Sequence, residues 1–109
     1  MCGILGAINL PVHENILDLI QHRGPDAYGE VKIRVGGHPV YLGHRRLSIV
    51  DLSPAGDQPM RSPDSSKLIV YNGEVYNHQE LRSQLSDVAF VGHSDTETIL
   101  HFLSRHGLT

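Results

Sequence analysis

Residues 31–42 read VKIRVGGHPVYL. Val31, Ile33 and Val35 alternate with Lys32 and Arg34, the period-two pattern of a strand with one buried face. Gly36-Gly37 follows, a pair that accepts the positive φ angles of a tight hairpin turn. Val40 and Leu42 then mark a returning strand. Strands joined by so short a turn pair antiparallel. This hairpin therefore sets the kind of sheet the rest of the chain must join.

Upstream, residues 3–10 (GILGAINL) form a short apolar run and read as a buried strand. In residues 12–21, Ile16, Leu19 and Ile20 recur at helical spacing beside Leu17, which predicts a short amphipathic helix. Residues 22–29 (HRGPDAYG) combine Gly, Pro and Asp and read as loop. Downstream, residues 47–52 extend the returning strand after a bend. Residues 53–63 read as loop, and 67–71 (KLIVY) as another strand. Asn77 with Glu80, and Ser94 with Glu97, have capping-box spacing, so each starts a helix. The second helix carries Ile99, Leu100 and Leu103, and Gly107 is placed to end it. Strands interleave with helices, which predicts an α+β fold with a mainly antiparallel sheet.

The chain has 109 residues, 39% of them hydrophobic and 19% charged, with a formal net charge of −3. That composition is globular, and the length suits one domain with a modest core. No basic stripe invites nucleic acid, and no apolar run approaches the roughly 18 residues that span a bilayer. A single cysteine forms no internal disulfide and rules out a paired-thiol zinc site. No basic start precedes the first apolar run, so the expected compartment is the cytoplasm. The eight histidines contain no HExxH spacing. His22, His44 and His93 would have to converge in space to bind metal, and no metal site is expected.

Three features carry chemistry. If the initiator Met1 is removed, Cys2 becomes N-terminal, and its thiol sits beside a free α-amine with an unperturbed pKa of about 7.7–8.0. One residue then supplies nucleophile and base. The plain alternative is a small buried hydrophobe at position 2. Asn72-Gly73 lies between apolar residues and signals a hairpin, but an Asn amide and an adjacent Gly N–H also make an oxyanion hole. Arg46 offers a fork for a carboxylate, and Asp95 can accept hydrogen bonds from an ammonium. Taken singly, these two read more readily as a surface charge and a helix-start residue.

The order of the segments is far more specific than any one of them. MCGI, then HRGPDAYG, then LGHRRLSIVDLSPAGDQPM (42–60), then YNGEVYNHQELR (71–82), then SDTETIL (94–100) resembles the N-terminal glutaminase domain of the asparagine synthetase family. These are class II glutamine amidotransferases with an N-terminal-nucleophile hydrolase fold. The match covers nearly all of residues 1–109. The resemblance implies that Cys2 is the nucleophile and that Asn72 and Gly73 form the oxyanion hole. It implies that Arg46 binds the glutamine α-carboxylate and that Leu47, Ser48, Ile49 and Val50 line the glutamine pocket, the backbone of Ile49 and Val50 forming its wall. Glu74 then lines the same site, Asp95 holds the α-ammonium, and Arg23, Gly24 and Pro25 shape the site.

The family's domain is close to twice this length, an αββα sandwich of two facing sheets. Residues 1–109 are therefore expected to be an incomplete domain, roughly its first half, with the ATP-binding synthetase domain absent. The stretch between Cys2 and His22 is also shorter, which trims the first helix. The function implied is glutamine hydrolysis that releases ammonia for ATP-dependent amidation of aspartate. The alternatives are another carboxylate acceptor and a non-catalytic remnant. The expected partners are L-glutamine, the rest of the glutaminase domain and a synthetase domain or subunit, with a homodimer left open. No cofactor is expected in this segment, while ATP and Mg belong to the synthetase domain.

Overall fold

Residues 2–48 and 52–107 are described by the structure, a computed structural model. The predicted hairpin is its centre. Strand β2 (Ala27–Val35) turns back into β3 (His38–Arg46), and Val35 pairs with His38 across the turn. Gly36 and Gly37 have φ of 57° and 82°, which L side chains adopt only with strain. Strand β1 (Gly3–Ile8) joins the free edge of β3, so the three-stranded order is β1-β3-β2, antiparallel throughout.

Directly paired residues share a face. On one face lie Gly3, Leu5 and Ala7 of β1 with Tyr41, Gly43 and Arg45 of β3. A 3-10 helix, Ile16–Arg23, covers that face. Leu17 is buried there, and its Cδ2 would lie 2.7 Å from a Cβ added at Gly43. Arg45 donates from Nε to the Leu17 carbonyl at 3.1 Å and from Nη2 to Asp18 at 2.9 Å. On the opposite face lie Ile4 and Ile8, then Val40, His44 and Arg46, then Val35. His44 and Arg46 are buried at one end of this face, while Ile4, Ile8 and Val35 are exposed.

The rest of the chain supplies a second layer around His44 and Arg46. A 3-10 turn, Pro54–Gly56, precedes a two-residue ladder of β4 (Met60–Arg61) with β5 (Leu68–Ile69). Helix α1 (His78–Ser83) and helix α2 (Asp95–His106) complete the fold, which is small, α+β and antiparallel. Among the described residues four hydrophobic side chains are buried, Leu17, Tyr41, Leu85 and Leu100, against ten polar or charged ones. Hydrogen bonds, more than apolar burial, therefore organise this interior, since a buried polar group left unpaired is costly.

Several sequence expectations change. The 3–10 run is an outer strand rather than a buried one, with Ile4, Ile8 and Leu10 exposed. The expected amphipathic helix is a 3-10 helix broken at Ile20 (φ −118°, ψ 18°), and Leu19 is exposed. Asn15 gives this segment no side-chain cap. Residues 22–29 are not all loop, because the 3-10 helix reaches Arg23 and β2 starts at Ala27. Strand β3 ends at Arg46, and residues 49–51 lie outside the described residues. Only Leu68 and Ile69 of the expected 67–71 strand are paired. Asn72-Gly73 makes no hairpin, since α1 begins at His78. Ser94 caps α2 by accepting the Glu97 N–H at 3.2 Å. The Glu97 carboxylate accepts instead from Val91 and Gly92.

Candidate active site

A cavity of about 160 Å³ opens where the end of β3, the 53–58 loop, the 71–74 segment and the start of α2 meet. Cys2, Arg46, Leu47, Asn72, Gly73, Glu74 and Asp95 all line it. They arrive from four separate stretches of chain. The β1–β3 register carries Cys2 to the end of β3, where the Leu47 N–H donates to Sγ at 3.4 Å. The thiol is half-buried.

Arg46 is buried at the last position of β3. Its Nη1 donates to the Ser53 carbonyl and to Asp57 Oδ1, both at 2.6 Å. The guanidinium packs against Gly56, where an added Cβ would be 2.4 Å from Nη2. These contacts hold a long, flexible side chain in one orientation with its charge beside the cavity.

Asp95 is the first residue of α2 and is buried, with Oδ2 accepting the Val75 N–H at 2.9 Å. A carboxylate at a helix start is favoured by the helix dipole. Asn72, Gly73 and Glu74 are exposed at the rim. Behind them stands Tyr71, whose ring would crowd a Cβ at Gly73, with its hydroxyl 2.8 Å away. Burial, then the charges of Asp95 and Glu74, push the Tyr71 phenol above its usual pKa, so it stays protonated.

The remaining expected site residues are placed differently. Ser48 is half-buried outside the cavity lining, and its N–H donates to Asp26 Oδ2 at 2.7 Å. Ile49 and Val50 lie outside the described residues. Gly24 and Pro25 sit against the end of β3, with a Pro25–Arg46 bridge and the Asp26 N–H donating to the Arg46 carbonyl at 3.0 Å. Arg23 ends the 3-10 helix beside Gly3.

The sequence did not single out His44, Gly56, Gln58, Tyr71, Ser94 and Thr96 as part of this cavity. His44 had a usable signal, since it stands two residues before Arg46 on one strand and so shares its face. It is 1% exposed, so its imidazole is closed off from water. Burial holds its imidazole below the usual pKa, so it is neutral near pH 7. Among the described residues no group of three or more His, Cys, Asp or Glu is placed to hold a metal ion.

The glutamine amidotransferase domain family matches residues 1–109. Amidase chry2 of Gibberella zeae is 40% identical over 127 residues, covering 100% of this chain and 19% of that protein. Amidase chyE of Penicillium rubens is 47% identical over 97 residues, covering 88% of this chain and 14% of that protein. Asparagine synthetase [glutamine-hydrolyzing] 1 of Lotus japonicus is 40% identical over 115 residues, covering 98% of this chain and 19% of that protein. The chain thus spans less than a fifth of the length of these relatives.

Proposed function

The chain belongs to the glutamine amidotransferase domain family, and from that premise we propose that its cavity binds L-glutamine and hydrolyses the side-chain amide, with Cys2 as nucleophile. One observation carries this reading: a thiol, a guanidinium, an Asn-Gly pair and a carboxylate, distant in sequence, line a single cavity.

In the proposed reaction Met1 is absent, and the Cys2 thiol passes its proton to its own α-amine through a water. The sulfur attacks the amide carbon of glutamine, and the C–O π electrons move onto oxygen. The Asn72 side-chain amide and the Gly73 N–H stabilise that oxyanion, a donor of this kind being worth roughly 2.7–4 kcal/mol. The intermediate collapses, the protonated α-amine returns its proton to the departing nitrogen, and ammonia leaves a thioester. Water then cleaves the thioester to glutamate and the free thiol. Arg46 holds the substrate α-carboxylate, Asp95 the α-ammonium, and Glu74 flanks them.

We further propose that this unit is part of the αββα sandwich of N-terminal-nucleophile hydrolases in a longer protein. The exposed Ile4, Ile8 and Val35 support this, because a second sheet would cover them. The ammonia would feed an ATP-dependent amidation of aspartate in the rest of that protein, where ATP and Mg would act. No step above runs through a metal. Two matched relatives carry the name amidase, which names the cleavage of an amide and no acceptor.

The test is glutamate release from glutamine by the full-length protein, with and without Cys2→Ala, together with its intact mass. Cys2-dependent release and loss of Met1 are expected. Equal rates in the two proteins would falsify the proposal. Formation of asparagine from aspartate, glutamine and ATP then decides the acceptor.

A further inference from the structure

We infer that Gln58 is a positioning residue that ties the Asn72-Gly73 segment to the start of α2. The inference rests on the glutaminase reading and adds a residue to it. The Gln58 side chain is buried. Its Oε1 accepts the Tyr71 N–H at 2.6 Å, one residue before Asn72. Its Nε2 donates to Thr96 Oγ1 at 3.1 Å, one residue after Asp95. A backbone N–H needs an acceptor, so Oε1 must face Tyr71 and the amide nitrogen must face Thr96.

Gln58 is itself held from behind. A Cβ added at Gly29 would lie 2.3 Å from the Gln58 carbonyl oxygen, so β2 presses directly on residue 58. The central sheet thereby sets the position of residue 58, and its amide passes that position to both walls of the cavity. The wall needing the help is 71–74, which belongs to no helix or strand. The start of α2 already has its own cap at Ser94. The oxyanion donors therefore depend on Gln58 more than the Asp95 carboxylate does. Its loss should slow the chemical step more than it weakens substrate binding.

Gln58→Met keeps the length of the side chain and loses both hydrogen bonds. Gln58→Glu keeps an acceptor for the Tyr71 N–H. In the full-length protein, Gln58→Met is expected to lower kcat for glutamine hydrolysis by about 10- to 100-fold, the scale of a misplaced reacting group. KM is expected to stay within about threefold. The rate of Cys2 alkylation by iodoacetamide is expected to be unchanged, and Gln58→Glu should recover most of the loss. Amide exchange of the peptide containing Tyr71 should quicken in Gln58→Met and not in Gln58→Glu. Unchanged kcat in Gln58→Met overturns the inference, as does a parallel collapse of kcat, KM and alkylation that Gln58→Glu does not relieve. Unchanged exchange at Tyr71 overturns it whether or not the wild type hydrolyses glutamine. A wild type without glutaminase activity, with exchange still quickened by Gln58→Met, overturns the functional reading and leaves Gln58 as the tie.

Discussion

The backbone N–H of Leu47 donates to the sulfur of Cys2 at 3.4 Å, joining residues 45 apart in sequence. This contact follows from the β1–β3 register, in which Gly3 faces Arg45. It places the thiol next to the residue after Arg46, so the proposed nucleophile and the proposed carboxylate anchor share one strand end. The first prediction concerns that anchor. Arg46→Lys keeps the charge but loses the planar fork that reaches Ser53 and Asp57 through Nη1. A charge-assisted hydrogen bond contributes about 1.5–3 kcal/mol, so KM for glutamine should rise roughly 10- to 150-fold. The substitution removes ground-state binding, so kcat should change far less. Steady-state kinetics checks this, and a fall in kcat at constant KM would refute the assigned role.

Gly24 offers a test of packing that is independent of catalysis. A Cβ there would meet the Arg45 carbonyl carbon at 2.5 Å, its oxygen at 2.6 Å and the Arg46 carbonyl carbon at 2.6 Å. All three are backbone atoms of a central strand and cannot swing aside. Gly24→Ala should therefore cost about 1–3 kcal/mol, the usual range for overpacking. Gly6→Ala is the control, because its Cβ would find nothing nearer than 3.9 Å. Urea unfolding of both variants measures the difference. Equal midpoints would show that the 24–26 turn does not press on β3 as described.

What the sequence could and could not show follows from the range of the forces involved. The 31–42 hairpin was legible because alternation and a Gly-Gly turn are local signals, and β2 and β3 meet there as expected. The Ser94 cap was legible for the same reason. The extents of the outer elements were not. Residues 3–10 look buried by composition, but whether Ile4 and Ile8 are covered depends on what packs across the sheet. Asn72-Gly73 carries the local signature of a hairpin, and the Tyr71 bond to Gln58 prevails over it. Gln58 itself has no local signature at all. Its role appears only when residues 29, 71 and 96 are brought around it, and no window of sequence contains them together.

His44 leads to a prediction about pH. Burial lowers its folded-state pKa below the usual 6.5, with Arg46 adding to the shift and the Tyr71 backbone and Asp57 opposing it. Between the folded pKa and about 6.5 the unfolded chain binds a proton that the folded chain refuses. Stability from this group is therefore full above about 6.5, falls as pH drops below it, and levels off once the folded pKa is passed. Denaturant midpoints measured from pH 7.5 downward should decline more steeply in the wild type than in His44→Gln. Parallel pH profiles for the two proteins would show that His44 is not buried in its neutral form.

Arg82 makes the largest stability prediction. It lies on α1, and its guanidinium donates to Thr98 Oγ1 at 2.7 Å, to the Gly92 carbonyl at 2.8 Å and to the Ser94 carbonyl at 2.8 Å. It also stacks 4.0 Å from the Phe90 ring centre and stands 3.9 Å from the buried Glu97 carboxylate. Glu97 in turn accepts the Val91 and Gly92 N–H groups, so the two charges close the 91–94 turn over the start of α2 from both sides. Arg82→Met keeps much of the apolar stem but takes the donor from the Gly92 carbonyl and removes the guanidinium beside Glu97, while the Ser94 carbonyl still accepts from Thr98 Oγ1. The cost should be about 3 kcal/mol or more, as when one partner of a buried ion pair is removed. Arg82→Lys should fall between, since an ammonium cannot span three acceptors in one plane. Because Asp95 follows the same turn, Arg82→Lys should also raise KM for glutamine while leaving Cys2 alkylation unchanged. Thermal or urea unfolding decides the first part. A loss below about 1 kcal/mol in Arg82→Met would mean that the 91–94 turn is held by the Ser94 cap and Glu97 alone.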